Sequence, residues 1–355
     1  MRNKTVLAVD LGAESGRVMA VKFDGNHLQL EELHRFPNTT VTLNGTLYWD
    51  FLRLWRDIQT GIDKGKALNP ASIGVDTWGV DFGLLDSQGS LIGNPVHYRD
   101  GRTINMMETA FTKLPKADIF AQTGVQFMPI NTLYQLLSLV ESGSPQLQIA
   151  STFLTSPDLL NYWLTGAKVS EFSIATTTQL FNPTTGTWAT EMMDKLGIPN
   201  HIFPEIVPPG TRLGTYEGIP VIAPACHDTG SAVAAMPTSS DNFAYISSGT
   251  WSLMGLEMPE PVINEASLAA NVTNEGGVLG TYRLLKNISG LWILQQCRKI
   301  WLTEGQEYSY PQLVSLAEAA EPLTAVFNPN DPRFLPPGDH PQRIKEFCAE
   351  TGQPV

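Results

Sequence analysis

Residues 6–23 read VLAVDLGAESGRVMAVKF. The run from Val6 to Leu11 is apolar except for Asp10, as in a strand buried on both faces, and a second strand, Val18 to Phe23, follows after a Gly-Ala-Glu-Ser-Gly turn. A third, Leu28 to Phe36, follows the turn Asp24-Gly25-Asn26. Loops this short force the three strands to be antiparallel neighbours.

Beyond the meander, Asp50 is placed to cap a helix in which Phe51, Leu54, Trp55, Ile58 and Ile62 recur at helical spacing. Ile73 to Val75 and Val80 to Leu85 then read as strand, and Leu133 to Val140 and Leu159 to Leu164 as helix. Three meandering strands followed by alternating helix and strand describe an α/β core of the ribonuclease H or actin type. The doubly wound nucleotide fold would require a helix directly after the first strand. Met236 to Asn242, MPTSSDN, is the expected linker, because proline ends a helix and turn formers follow. The chain therefore divides into 1–237 and 241–355. The second part opens on FAYISSGTWSLMGLE (243–257), again strand, tight turn and strand. Laid over residues 6–23 with Gly12 against Gly249, it forms a weak internal repeat, for which duplication and chance likeness of two hairpins are both adequate accounts.

A chain of 355 residues with 42% hydrophobic content can bury the cores of two ordinary domains. With 23 basic against 35 acidic residues the net charge is -12, which opposes non-specific attraction to nucleic acid or anionic membrane. An anionic substrate needs local positive groups or a metal ion. Cys226, Cys297 and Cys348 are odd in number and widely spaced, as expected of reduced thiols rather than a disulfide or zinc framework. Asp10 interrupts the first apolar run too early for a signal peptide, and no stretch of eighteen apolar residues occurs, so a soluble cytoplasmic protein is expected.

Asp10 ends a buried run and precedes Gly12 and Gly16. A carboxylate there is costly to desolvate without a cation or donors, which makes it a candidate holder of Mg2+, directly or through water; an ordinary Asp-Gly turn is the competing account. Ser247-Ser248-Gly249-Thr250 offers N–H and hydroxyl donors of the same type, suited to phosphate oxygens. Neither G-x-x-x-x-G-K-[ST] nor G-x-G-x-x-G occurs, so phosphate binding of those two kinds is excluded. Residues 226–237, CHDTGSAVAAMP, put His227, Asp228 and Thr229 before a run of small side chains. Asp228 is either a helix cap or a base that takes up a hydroxyl proton as that oxygen bonds to phosphorus. Alone, His227 reads as a satisfied structural histidine. Asp76, Trp78, Asp81 and Phe82, with Tyr98, Arg99, Asp100 and Arg102 of HYRDGRT, suit the wall of a polyhydroxylated ligand, although surface ion pairs also account for the second group. In KNISGLWILQQCRKIW (286–301) the polar candidates are Asn287 and Gln295.

Together these segments resemble the FGGY family of carbohydrate kinases, and within it the members that phosphorylate rhamnulose. The resemblance rests on VDLGAESGRV (9–18), GVDTWGVDFGLLD (74–86), HYRDGRT (97–103), CHDTGSAVAA (226–235), YISSGTWSL (245–253), NEGG (274–277), NISGLWILQQCR (287–298) and DPRFLPPGD (331–339). It implies an actin-like ATPase (ribonuclease H-like) fold, two domains around a cleft. It also implies transfer of the γ-phosphate of MgATP to the 1-hydroxyl of L-rhamnulose, a step of L-rhamnose catabolism. By the same resemblance Ala13, Glu14, Ser15, Gly16 and Arg17 fit a first ATP phosphate loop, and Thr250 and Gln295 fit further ATP contacts. Asp228 fits the proton acceptor, and Gly83, His227, Asp228, Thr229 and Asn287 fit sugar contacts. Family members continue past ETGQPV (350–355) with helices and a glycine-rich segment that holds adenosine, so the second domain is expected to be truncated at Val355. The alternatives are another FGGY kinase, of fuculose or xylulose type, and a catalytically inactive sugar-binding fragment.

Overall fold

The computed structural model describes residues 4–240 and 242–355; Asp241, inside the expected linker, and the first three residues lie outside them. The chain forms two compact units. The first holds residues up to Ala244 together with Gly255–Lys286, and the second holds Tyr245–Met254 with Asn287–Val355. Gly255–Lys286, although it follows the expected linker, packs with the first unit.

The first unit opens with β1 (Lys4–Leu11), β2 (Ser15–Phe23) and β3 (Leu28–Pro37), paired antiparallel in that order. After them come α1 (Phe51–Lys66), β4 (Ile73–Thr77), β5 (Phe82–Leu85), α2 (Thr132–Glu141), β6 (Thr152–Thr155), α3 (Ser156–Thr165), α4 (Phe172–Ala175), β7 (Arg212–Tyr216), β8 (Ile219–Ile222) and α5 (Asp228–Ala234). The six-stranded sheet has the order β7-β8-β4-β1-β2-β3. β4 lies parallel to β1 and to β8, while the meander is antiparallel, so the mixed α/β core expected from the sequence is present.

The apolar run of β1 buries Leu7, Val9 and Leu11, and β2 answers with Val18 and Ala20. α1 turns Phe51, Leu54, Ile58 and Ile62 onto this layer, all without exposed surface. Asp50 starts that helix by accepting the Arg53 N–H at 3.3 Å, satisfying one orphan donor of the first turn. Lys64 and Lys66 close its last turn, where positive charge suits the helix dipole. A second apolar mass joins Leu133, Leu136 and Leu137 of α2 to Phe153 of β6 and to Trp188, Met192 and Met193.

The strand expected from Val80 begins only at Phe82. Val80 has φ of 70°, a left-handed conformation that a β-branched residue adopts at a cost. Three hydrogen bonds hold it: its N–H donates to Thr177 Oγ1 at 3.3 Å, and its carbonyl accepts from Thr132 Oγ1 at 2.6 Å and Gln135 Nε2 at 3.2 Å.

β9 (Ala244–Ser248), β10 (Trp251–Met258), β11 (Thr273–Gly276) and β12 (Tyr282–Ser289) follow, then α6 (Leu291–Thr303) and α7 (His340–Glu350). In the second unit Trp292, Ile293 and Cys297 of α6 pack with Phe334. All three cysteines are free and buried, and no helix among the described residues is long and apolar enough to cross a membrane. Ile58→Ala, which removes three carbons from a fully buried site on α1, is expected to lower unfolding free energy by about 2–5 kcal/mol. Urea unfolding followed by far-UV circular dichroism measures it, and a loss below about 1 kcal/mol would contradict the assignment of α1 as the layer that seals the meander.

Candidate active site

Parallel pairing of β1 and β4 sets Asp10 opposite Asp76, and the next residue, Thr77, bridges to His227. Asp10, Asp76 and Asp228 thus approach one another from three chain segments. Asp76 is pushed well above the ordinary carboxylate range, first by burial and then by the charges of Asp10 and Asp228. Arg17 faces Asp10 across the β1–β2 hairpin, donating from Nε at 2.8 Å and Nη2 at 2.7 Å to the same oxygen, Oδ2.

The Asp228 side chain keeps 31% of its surface accessible. It does not cap α5; His227 holds the N-cap position, without a side-chain capping bond. Asp228 Oδ1 accepts instead from the Thr229 N–H at 2.6 Å and Thr229 Oγ1 at 3.1 Å, with His227 Nε2 at 3.5 Å. All these contacts fall on one carboxylate oxygen. Desolvation pushes the Asp228 carboxyl up; the charge of Asp10 adds to this, while His227 and Thr229 oppose it. The result is an oriented carboxylate more basic than a surface aspartate.

Behind it lies a buried polar frame. Glu171 accepts from Ser173 N at 2.9 Å, Ser173 Oγ at 2.6 Å, Ile174 N at 3.2 Å and Cys226 N at 2.9 Å. Ser173 Oγ in turn accepts the His227 N–H at 3.1 Å. β11 reaches the same helix α4: the Gly276 N–H donates to Thr176 Oγ1 at 2.7 Å, and a Cβ on Gly276 would stand 2.7 Å from the Phe172 ring. Only glycine permits that approach. Arg283 of β12 donates from Nε to Gly276 O at 3.0 Å, and its Nη2 lies 3.1 Å from His227 Nδ1 and 3.3 Å from Glu275 Oε2. The small residues after Asp228 divide in purpose. A Cβ on Gly230 would meet Ala225 at 3.1 Å and Arg283 at 3.5 Å, whereas Ala232, Ala234 and Ala235 lie exposed.

The aromatic wall forms around Asp81, which is 1% exposed. Its Oδ2 accepts from the indole N–H of Trp49 at 2.6 Å and of Trp78 at 2.9 Å, and its Oδ1 from Gln135 Nε2 at 3.2 Å. Trp49 stacks on His97 at 4.1 Å and meets Trp78 at 4.3 Å. Burial raises Asp81 to about 6 against its three donors, and lowers His97 to about 3. Arg102 donates to Gln135 Oε1 at 2.7 Å, while Asp100 accepts backbone N–H groups of Arg102 and Leu47, so HYRDGRT is organised by internal hydrogen bonds. Gly83 lies in β5 opposite Leu154, where a Cβ would press on Leu159 and Leu91.

Ala13 and Glu14 form the β1–β2 turn and Ser15, Gly16 and Arg17 begin β2. Asn38 pins this turn, donating its backbone N–H to Glu14 O at 2.9 Å and its side-chain amide to Gly12 O. In the second unit the Ser248–Trp251 turn docks on α6: Gly249 O accepts from Leu291 N at 2.9 Å and Thr250 O from Trp292 N at 3.1 Å, satisfying orphan donors of that helix. Asn287 lies within β12, and Gln295 is buried on α6. Asn38, Trp49, Glu275 and Arg283 carried no assigned role in the sequence. NEGG was the one available signal for Glu275, and nothing local marks the other three.

Among the described residues no cluster of three acidic, histidine or cysteine side chains could hold a metal. An ion caged by protein therefore does not fit. Asp10, a single hard oxygen donor, would suit a Mg2+ ion held largely by ligands other than protein side chains.

A mixed sheet led by an antiparallel hairpin, with helices packed on it, is the α/β architecture of the actin-like ATPase fold. Solved structures agree on the fold: xylulose kinase from Lactobacillus acidophilus superposes with a TM-score of 0.74 at 18% identity, over 90% of this chain and 66% of that one. Plasmodium falciparum glycerol kinase gives 0.72 at 16%, over 92% and 70%. The chain belongs to the FGGY family of carbohydrate kinases, whose N-terminal domain matches residues 5–235 and whose C-terminal domain matches 244–355. Curated relatives include the rhamnulokinases of Bacteroides thetaiotaomicron, 45% identical over 98% of this chain, and of Pectobacterium carotovorum, 46% identical over 100% of this chain. The chain spans 73% of the length of each.

Since Asp81 binds its proton more tightly folded than unfolded, the stability it contributes is full below its ordinary value of 3.8 and is lost as pH rises through about 6. Asp81→Asn, which keeps an oxygen for the indole N–H groups, is expected to flatten the pH dependence of unfolding free energy between about pH 4 and 7 relative to the parent. Parallel urea titrations at several pH values measure it; identical slopes in both proteins would contradict the shift.

Proposed function

We propose that this chain phosphorylates L-rhamnulose at its 1-hydroxyl with the γ-phosphate of ATP, giving L-rhamnulose 1-phosphate and ADP. The observation that carries this reading is identity of 43–46% to rhamnulokinases over 98–100% of the chain. Geometry supports the roles. Asp228 accepts the proton of the sugar hydroxyl as its oxygen bonds to phosphorus and the bond from the γ-phosphorus to the bridging oxygen of ADP breaks. The two Thr229 donors on Oδ1 keep the carboxylate oriented, and desolvation raises its basicity.

Ala13, Glu14, Ser15, Gly16 and Arg17, with Thr250 and Gln295, bind the nucleotide. Gly83, His227, Thr229 and Asn287 bind the sugar with Asp228, and the Trp49, Trp78 and Asp81 wall gives that pocket an apolar face with fixed polar edges. Asp10 would hold Mg2+, directly or through water, and the ion would supply charge neutralisation at phosphate oxygens.

Asp228→Asn is expected to lower kcat by about 10²–10⁴-fold while leaving the dissociation constant for L-rhamnulose, read by calorimetry, within a few fold of the parent. Undiminished turnover would reject Asp228 as the base. Comparing L-rhamnulose with L-fuculose, D-xylulose and glycerol tests the acceptor: preference for any of the other three would replace the substrate while leaving the kinase assignment standing.

A further inference from the structure

We propose that Arg283 is a positioning residue that fixes the tautomer of His227, keeping Nδ1 bare and the proton on Nε2, so that Nε2–H faces Asp228 and the sugar hydroxyl. The proposal deepens the kinase reading and rests on it for its consequence in catalysis, though the tautomer itself does not depend on which sugar is bound.

Arg283 has no exposed surface and His227 only 7%. Neither is therefore rearranged by solvent. The guanidinium is anchored by its Nε donation to Gly276 O at 3.0 Å, which aims Nη2 at His227 Nδ1, 3.1 Å away. A guanidinium can only donate, so this bond requires a lone pair on Nδ1. The remaining ring proton then resides on Nε2, 3.5 Å from Asp228 Oδ1.

Three charged groups face the ring, and they discriminate among its states. Glu275 Oε2 stands 3.1 Å from Nδ1 and 3.3 Å from Arg283 Nη2. Were Nδ1–H to donate to Glu275, the Nη2 donor would point at another donor, and the Nε2 lone pair would point at the Asp228 carboxylate. Both contacts would be repulsive. A doubly protonated ring would face Glu275 and Asp228 favourably, but it would keep the first clash, set two buried cations 3.1 Å apart and leave Arg283 Nη2 without the acceptor its anchored geometry aims at. With Nδ1 bare, Arg283 finds an acceptor, its charge offsets the approach of the Nδ1 lone pair to Glu275 Oε2, and Nε2–H faces Asp228 Oδ1 at 3.5 Å. The backbone cooperates, since the His227 N–H is tied to Ser173 Oγ at 3.1 Å, which restricts the ring's pivot.

The test reads the tautomer directly. Long-range 1H–15N correlation spectra of the sugar-free protein labelled with [15N]histidine, near neutral pH and with His227 assigned by His227→Gln, are expected to give a protonated Nε2 and a bare Nδ1. Protonation at Nδ1, alone or with Nε2, would overturn the proposal whatever substrate the enzyme uses. Arg283→Met is expected to move the spectrum toward a mixture of tautomers and to raise the dissociation constant for L-rhamnulose on the order of ten-fold, the worth of one hydrogen bond to a charged group. Arg283→Lys, which restores a donor and the positive charge, is expected to recover part of both. Should Arg283→Met fail to fold, the parent spectrum and a second pair decide. His227→Gln offers an amide donor near Nε2 and His227→Asn one near Nδ1, so Gln is expected to bind L-rhamnulose more tightly than Asn. The reverse order would reject the Nε2–H donor, whereas absence of L-rhamnulose binding by the parent would reject the substrate and leave the spectrum to judge the tautomer.

Discussion

A carboxylate with no exposed surface, Glu171, carries the constraint on which the site depends. An unpaired charge at that depth would cost several kcal/mol, and the fold offsets it with four donors from two segments, Ser173–Ile174 and Cys226. Satisfying Glu171 fixes the backbone just before His227 and Asp228. Burial still raises its carboxyl above the ordinary range, so the donors compensate the desolvation only in part. Asp158 extends the frame, accepting from Thr155 Oγ1 at 2.5 Å and the Glu171 N–H at 3.1 Å.

From that anchor the placement of His227 and Asp228 follows. His227 takes its backbone bond from Ser173 and its ring contacts from β11 and β12, and Asp228 takes its orientation from Thr229, its own neighbour. Polar groups that are individually costly to bury become favourable because each satisfies the next. The same economy governs Asp81, whose carboxylate holds two indoles and Gln135 in one orientation. Its supporting loop contains Val80 in a left-handed conformation, strain localised where a rigid wall is required.

Two accounts left open by the sequence are separated by these contacts. Asp228 was equally readable as a helix cap, but its carboxylate bonds to the adjacent Thr229 while His227 occupies the cap position. HYRDGRT was readable as surface ion pairs, but Asp100 accepts backbone N–H groups and Arg102 reaches Gln135. Each distinction depends on which atom lies within about 3 Å of another, and residue type alone does not carry it.

The amino-acid sequence by itself determined the meander, the α1 stripe of Phe51, Leu54, Ile58 and Ile62, the position of Asp10 at a strand end, and membership of a kinase family through an ordered set of short motifs. These are local, because strand alternation, helical periodicity and turn chemistry are expressed within a few residues. Tertiary structure alone decided that Asn38 pins the Gly12 turn, that Trp49 joins Trp78 on Asp81, that Gly255–Lys286 returns to the first unit, and that Arg283 meets His227. The Asn38–Gly12, Trp49–Asp81 and Arg283–His227 pairings span 26, 32 and 56 residues of chain. Which long-range pairing forms depends on how the sheet and its covering helices pack, and no local pattern encodes the partner.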